Sequence, residues 1–274
     1  MALAALCGDD EWGQTWERVL QHRFAGDGEM RGHVVGNLLI VSLWELLGDH
    51  VAALQWVARL LGAQGTVLPM ATTPMDITAE VRGLDPADPA LTTTVRGQVE
   101  VATTDGEIVS ISLDPADPVA CPEAVSAVLA ADWVVLGPGS WYSSVIPHLM
   151  VPALRRALVE TDARLVVVLN LEGQQGETHG YDPEDHLAAL HEHAPDLTLH
   201  TVLVDPSTLT DAQTLEQAVA SWGARLEVAD VAVGDGSPRH DTRKLAAAFA
   251  RILDDARAPE GAPEPAPEGA PDGD

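Results

Sequence analysis

The length, composition and charge of this chain restrict the functions open to it. Its 274 residues, 46% of them hydrophobic and 21% charged, are enough to bury a full core in one large domain or two small ones. Its 42 acidic and 15 basic residues give a formal net charge of −27, which would repel a phosphate backbone. Nucleic acids and anionic membranes are therefore excluded as expected partners.

The cysteines and the apolar segments indicate the compartment. Cys7 and Cys121 form neither a CxxC pair nor a spaced framework, so no disulfide scaffold or zinc ribbon is indicated and a reducing compartment fits. The apolar runs NLLIVSLWELL and LVVVLNL are too short to cross a bilayer, and the N-terminus has acidic residues where a signal peptide needs basic ones. We expect a cytoplasmic protein that does not insert into a membrane.

The first part of the chain has a helical pattern. Between Glu11 and Gly62, apolar residues recur at three- and four-residue spacing, which predicts helices over WERVLQHRF, VVGNLLIVSLWELLG and VAALQWVARLLG. Extended segments are then predicted at TVLPMA, DITAEV, TTTVRGQVEVAT and EIVSISL. In the third of these, Val95, Val99 and Val101 alternate in part with polar residues. This is a small β-rich stretch.

After Pro122 the chain alternates between helices and apolar strands. The predicted strands are WVVLG, RLVVVLNL, LHTVLVD and EVADVAV, each separated from the next by a helical pattern. Continuous apolar strands between helices are typical of a mainly parallel sheet covered on both faces, which predicts a doubly wound α/β fold. Residues 258–274 contain only Pro, Gly, Ala and acidic residues, and we expect this tail to be disordered.

The segment GPGSWYSS follows the first of these strands, where doubly wound sheets bind ligands. Gly137 and Gly139 allow the backbone to approach a ligand closely, and the hydroxyls and amides near Ser140 and Ser144 can bind an anion. This favours a phosphate or pyrophosphate site. An ordinary strand-to-helix connection with capping serines is the alternative. The order of residues is not G-x-S-x-G, so a serine hydrolase is not indicated.

The loop NLEGQQGETHGYD follows the next strand. It collects Asn170, Gln174, Glu177 and Thr178 among several glycines, of which Gly176 is one. A polar surface loop is the usual explanation for such a composition. Two neighbouring strand ends with glycine-spaced polar residues favour a shared pocket.

The segment RGHVVGNLL places Gly32, His33, Gly36 and Asn37 on one face of a predicted helix start, where the glycines allow close approach and the other two offer donors. Alternatively, His33 is a packed core histidine. The later histidines form no HExxH motif, so a solvated helix face is favoured over a metal site. Asp241 is expected to cap the last helix.

Four segments together resemble the gluconeogenesis factor family, which is similar in fold to 2-phospho-L-lactate transferases. They are GHVVGNLL, VVLGPGSWYSSVIPHLMVP, NLEGQQGETHGYDPEDH and PRHDTRKLA, and the resemblance runs to about Arg257. It implies a single Rossmann-like α/β nucleotide-binding domain over residues 1–257, with nucleotide-sugars such as UDP-N-acetylglucosamine as expected ligands. The ligand-binding residues that it implies are Gly32, His33, Gly36, Asn37, Gly137, Gly139, Ser140, Ser144, Asn170, Gln174, Gly176, Glu177 and Thr178.

The resemblance implies a UDP-sugar-binding regulator of carbon metabolism, cell-wall synthesis and cell shape, with no catalytic residue, metal site or certain cofactor. The alternative is a 2-phospho-L-lactate transferase-like enzyme with a nucleotide diphosphate donor, which would need Mg²⁺. Two further interpretations stay open. One is a scaffold that binds other proteins through its acidic surface, and the other is assembly of the chain into a homo-oligomer. Relatives have a glycine-rich loop and an Asp-Asp-Gly-Gly-Ser-Ser stretch ahead of these segments. Because this chain lacks both, we expect it to be N-terminally truncated and to be unstable or bind nucleotide weakly.

Overall fold

The structure, a computed structural model, describes residues 2–174 and 176–256. These residues form two compact units. The first unit contains the residues up to Asp132 together with Tyr142–Ala163, and the second contains Trp133–Trp141 and the residues from Arg164 onward. The predicted tail at 258–274 lies outside the described residues. The prediction of a single domain over 1–257 stays a prediction.

The first unit begins with helices, as the apolar periodicity predicts. Asp10 and Asp49 cap two of these helices, because their side chains accept hydrogen bonds from backbone amides of the first turn. Leu20, Val57 and Leu61 are buried together in the core of this helical part. The helices described in this unit are α1 (Ala2–Ala5), α2 (Glu11–Gln21), α3 (Val35–Leu47), α4 (His50–Leu61), α5 (Gln98–Ala102), α6 (Pro122–Leu129), α7 (Ile146–Met150) and α8 (Pro152–Glu160).

The β-rich stretch is an antiparallel sheet of three strands in the order β2-β1-β3. Its strands are β1 (Asp76–Arg82), β2 (Thr92–Arg96) and β3 (Glu107–Asp114). Two strand predictions here were wrong. The segment TVLPMA forms no strand and contributes only a bridge from Ala71 to Ala120. The second half of TTTVRGQVEVAT is α5, because Gly97, with a φ of 109°, turns the chain and ends β2.

The second unit contains a parallel sheet of four strands in the order β4-β5-β6-β7. Its strands are β4 (Trp133–Leu136), β5 (Arg164–Val168), β6 (Thr201–Val204) and β7 (Arg225–Val228). β6 is buried along its whole length, and so is β5 after its first residue, which explains their continuous apolar sequences. The expected α/β, Rossmann-like fold is confirmed. The last strand lies earlier than predicted, since β7 ends before most of EVADVAV.

The α-helices described in the second unit are α9 (Pro183–His193), α10 (Ala212–Ser221) and α11 (Thr242–Asp255). Each begins at an aspartate, and Asp241 caps α11 as predicted by accepting hydrogen bonds from the amides of Arg243 and Lys244. The apolar face of α11 packs on β5 and β6, where Ala248 and Ile252 join the buried core. No helix in the described part of the chain is both long and apolar enough to cross a membrane.

Candidate functional site

A cavity of about 660 Å³ in the second unit lies where β4 and β5 end. Carboxyl ends of parallel strands are the usual ligand-binding edge of such a sheet, because the connecting loops meet there. Two strand-end loops and the turn that precedes α11 form its walls. The lining residues are Pro138, Gly139, Asn170, Leu171, Glu172, Gly173, Gln174, His179, Pro238 and His240.

Two hydrogen bonds between Asn170 and Gly139 join the loops that follow β4 and β5. The Gly139 amide donates to Asn170 Oδ1 at 3.0 Å, and Asn170 Nδ2 donates to the Gly139 carbonyl at 2.9 Å. The side-chain amide thereby pairs with the backbone as a neighbouring strand would, one step beyond the end of the sheet. Asn170 fixes the position of the GPGS segment against the loop after β5.

The loop after β5 is a compact turn built around Thr178. The Thr178 hydroxyl accepts a hydrogen bond from the Gln174 amide at 2.9 Å, and the Thr178 amide donates to the Gln174 carbonyl at 2.9 Å. Gly176 has a φ of 91°, a conformation that favours glycine. Thr178 is fully buried and Glu177 is 5% exposed, so both side chains lie inside the loop.

Aromatic packing supports both loops. Trp141 is fully buried, and its ring lies edge-on to His186 with centroids 5.2 Å apart. Tyr181 makes a similar contact with His186 at 5.4 Å. Burial lowers the pKa of His186, although the Asp182 carbonyl and the charge of Asp185 oppose that shift. A neutral imidazole therefore belongs to this packing at neutral pH.

Asp205 fixes the position of the third wall of the cavity, which is the segment that precedes α11. It follows β6, is 3% exposed, and accepts four hydrogen bonds. Two come from the amide and hydroxyl of Ser207, and two come from the amides of Val231 and Ala232 at 2.7 and 2.8 Å. Burial raises the pKa of Asp205, but these hydrogen bonds outweigh burial and hold it below the ordinary value.

The segment between β7 and α11 folds back on itself as a narrow hairpin. Ala232 bridges His240, the Val233 amide donates to the Arg239 carbonyl, and Lys244 Nζ donates to the Ala232 carbonyl at 2.8 Å. Ala232 is thus bound on both sides, with its amide donating to Asp205 and its carbonyl accepting from Lys244. This arrangement places Pro238 and His240 at the cavity.

The structure brings only part of the predicted site residues together at this cavity. Gly139, Asn170 and Gln174 line it, whereas Glu177 and Thr178 stabilise the loop behind Gln174. Ligand contact by any of them stays a prediction. The predicted residues that do not line the cavity but belong to the same unit are Gly137, Ser140, Gly176, Glu177 and Thr178.

The other predicted residues belong to the first unit. Gly32 and His33 precede α3 instead of lying on it, because Gly32, with a φ of 77°, forms a turn and the His33 amide donates to the Met30 carbonyl. His33 is exposed, so it is not a packed core histidine. Gly36 is buried and Asn37 is exposed in the first turn of α3. The Ser144 carbonyl accepts from His148 Nδ1 at 2.7 Å.

Sequence reasoning missed Asp205, His179 and His240 as parts of this site. A signal for Asp205 exists, because an acidic residue directly follows the apolar run VLV of a strand that is buried along its whole length. A charge at such a position needs several hydrogen bonds to be tolerated. His240 directly precedes Asp241, for which the sequence predicts only helix capping, and Asp241 does form the cap.

This chain is similar to known proteins in both sequence and structure. The family model described as 2-phospho-L-lactate transferase CofD matches residues 2–236. A Mycobacterium tuberculosis protein named "Putative gluconeogenesis factor" is 47% identical over 250 residues, which cover 90% of this chain and 72% of the relative. A Listeria innocua protein named "Gluconeogenesis factor" is 29% identical, with 86% of this chain and 74% of the relative covered.

A solved structure shares the fold. The crystal structure of a UPF0052 family protein from Bacillus halodurans superposes with a TM-score of 0.77 at 28% identity. The superposition covers 90% of this chain and 81% of that chain.

We predict that Asp205→Asn destabilises the second unit. An asparagine side chain has only one acceptor oxygen, so buried donors that Asp205 now satisfies lose their acceptor. The free energy of unfolding should fall by about 3 kcal/mol at pH 7, measured by urea denaturation. The control is Asp132→Asn at an exposed position, which should change little.

The effect should depend on pH in a defined direction. Because the folded-state pKa of Asp205 is lowered, its contribution is present above the unfolded pKa of about 4 and is lost as the pH falls through the lower folded value. The difference in stability between the wild type and Asp205→Asn should therefore narrow below about pH 4. A difference that stays constant down to pH 2 would contradict this assignment.

Gly173→Ala should distort the loop after β5. A Cβ at Gly173 would lie 2.3 Å from the Thr178 carbonyl oxygen, which is backbone and has to shift. We expect a loss of about 1–3 kcal/mol in the free energy of unfolding. At Gly137 a Cβ meets no described atom within 4 Å, so Gly137→Ala is the matched control and should leave stability nearly unchanged. Equal melting temperatures for both variants would refute the close packing at Gly173.

Proposed function

We propose that this chain binds a nucleotide-sugar and acts as a regulator without catalysing a reaction. The premise is that the chain belongs to the CofD family and to its gluconeogenesis factor branch. UDP-sugars such as UDP-N-acetylglucosamine are the ligands we expect. The role we infer is regulation of carbon metabolism, cell-wall synthesis and cell shape from the cytoplasm. No catalytic residue is proposed.

The cavity at the carboxyl ends of β4 and β5 carries this proposal. Its volume of about 660 Å³ lies within the range of small-molecule sites, roughly 300–1,000 Å³. It is bordered by backbone from two glycine-containing loops, which leave room for a ligand to approach the main chain closely. Gly139 is one such position, since a Cβ there would meet no described atom within 4 Å.

The charge of the cavity limits how a diphosphate could bind. Among the described residues that line it, none is Lys or Arg, and Glu172 adds a carboxylate. Phosphates would therefore be bound without cationic side chains, and since the Gly139 amide already donates to Asn170 Oδ1, the amide and hydroxyl of the neighbouring Ser140 are the donors we propose for them. Binding of this kind favours a ligand with a large uncharged part, which a nucleotide-sugar has.

A second candidate is the transferase activity named in the matching family description. In that case the cavity would hold a nucleotide diphosphate donor whose group is transferred to an alcohol. Such an enzyme would need Mg²⁺ against the diphosphate. The two candidates differ in the nucleotide that binds, so one titration separates them.

Thermal-shift and calorimetric titration of this chain with UDP-N-acetylglucosamine, UDP-glucose and GTP tests the proposal. A ligand that binds only the folded protein raises the melting temperature by mass action. We expect the UDP-sugars to raise it and GTP to have no effect. A response to GTP alone would overturn the regulator proposal and favour the transferase.

Gly139→Ala should weaken UDP-N-acetylglucosamine binding by about tenfold, equivalent to about 1.4 kcal/mol, because its methyl group enters space that the ligand needs. Its melting temperature without ligand should match the wild type, since the added methyl meets no described protein atom within 4 Å. The control is Gly26→Ala, another position with open space that does not line the cavity. Wild-type affinity in Gly139→Ala would place the ligand elsewhere.

A further inference from the structure

Two atoms in the cavity wall are shielded from solvent and have no hydrogen-bond partner among the described residues. They are His240 Nε2 and Gln174 Oε1. Both residues line the same cavity but come from different segments, since Gln174 belongs to the loop after β5 and His240 ends the hairpin before α11. Buried polar atoms in folded proteins nearly always have a hydrogen-bond partner, so two such atoms without one in the same cavity wall call for an explanation.

The chemistry of His240 follows from its backbone contact. The ring forms a hydrogen bond with the Leu169 carbonyl, and a carbonyl oxygen can only accept. Since Nε2 is the nitrogen without a partner, Nδ1 is the donor, and Nε2 of the neutral ring carries a lone pair. Burial lowers the pKa of His240, against the opposing effects of the Asp205 charge and the Leu169 carbonyl. At neutral pH, Nε2 is therefore an acceptor.

The neighbouring groups have the same character. Gln174 Oε1 is an amide oxygen and Glu172 a carboxylate, and both accept hydrogen bonds. Among the described lining residues, this side of the cavity thus has a carboxylate and no cationic side chain to attract phosphate oxygens, which are themselves acceptors. Hydroxyl groups of a ligand can donate to the acceptor atoms of this wall without the charge repulsion that a phosphate would meet at Glu172.

We propose that His240 and Gln174 form an acceptor pair that binds hydroxyl groups of a sugar ring of the ligand. This inference rests on the proposed function, and it assigns the sugar to the side formed by these residues and the phosphates to the GPGS side. Because both atoms are shielded from solvent, contact with the hydroxyls requires a change in the Gln174 rotamer and a small rotation of the His240 ring. Asp205 acts here only as a positioning residue, because it holds Ala232, to which His240 is bridged.

Three substitutions test this assignment. His240→Asn keeps a donor near the position of Nδ1 for the Leu169 carbonyl but removes the acceptor at Nε2, whereas His240→Gln returns an amide oxygen near Nε2. Gln174→Leu removes the second acceptor at similar size. His193→Asn is the matched control, because His193 also contacts a backbone carbonyl through Nδ1, at 2.9 Å from Ala189, but does not line the cavity.

Affinities are measured by calorimetry for UDP-N-acetylglucosamine, UDP and inorganic pyrophosphate. We expect His240→Asn and Gln174→Leu each to bind UDP-N-acetylglucosamine about fivefold to tenfold more weakly, the loss of one hydrogen bond, with pyrophosphate binding unchanged and partial recovery in His240→Gln. A loss confined to UDP-N-acetylglucosamine assigns the pair to the hexose, and an equal loss for UDP assigns it to the ribose. Both results support an acceptor pair for sugar hydroxyls.

Other outcomes overturn the inference. Unchanged UDP-N-acetylglucosamine binding in both variants removes the pair from the site while leaving the proposed function intact. An equal loss for pyrophosphate shows that the residues face the phosphates. A wild-type chain that binds neither UDP nor the UDP-sugar at millimolar concentration defeats the proposed function itself, and this inference with it.

Discussion

The carboxylate of Asp205 is the group on which the site geometry depends. It lies at the end of a buried strand and satisfies donors from the segment that follows β6 and from the hairpin that follows β7. A buried charge of this kind is tolerated only when its oxygens are fully used, and here hydrogen bonding outweighs burial in setting its pKa. Without this anchor, the hairpin that carries Pro238 and His240 would lose the two hydrogen bonds by which the amides of Val231 and Ala232 attach it to the end of β6.

Asn170 performs a related task on the other side of the cavity. Its side-chain amide pairs in both directions with the backbone of Gly139 and so continues the contact of β4 and β5 beyond their last ladder residues. Asn170 and Asp205 stabilise the loops in the same way. Polar side chains at strand ends take over the pairing that the sheet no longer provides, and they leave the space between the loops open. A ligand can then meet loops whose conformations are already fixed, which reduces the entropy lost on binding.

Polar residues in this site fall into two groups by what they contact. Asn170, Thr178 and Asp205 direct their polar atoms to backbone groups of the protein, which makes them structural elements of the loops. His240 and Gln174 each keep one acceptor that has no partner among the residues the structure describes. This division explains why a glycine-rich loop with many polar residues need not use all of them for the ligand. It also separates substitutions expected to unfold the loops from substitutions expected to change affinity alone.

Local sequence pattern by itself determined the class of the fold and the order of its elements. Apolar runs such as RLVVVLNL are long enough to define buried parallel strands, and Asp241 before an amphipathic segment defines a helix start, because both signals depend only on near neighbours. The same patterns failed where one residue outweighs periodicity, as at Gly97 and Gly32. Tertiary structure alone decided which polar side chains share the cavity. Asp205 is 35 residues from His240, so no local pattern joins them, and only the pairing of β6 with β7 places the hairpin against that carboxylate.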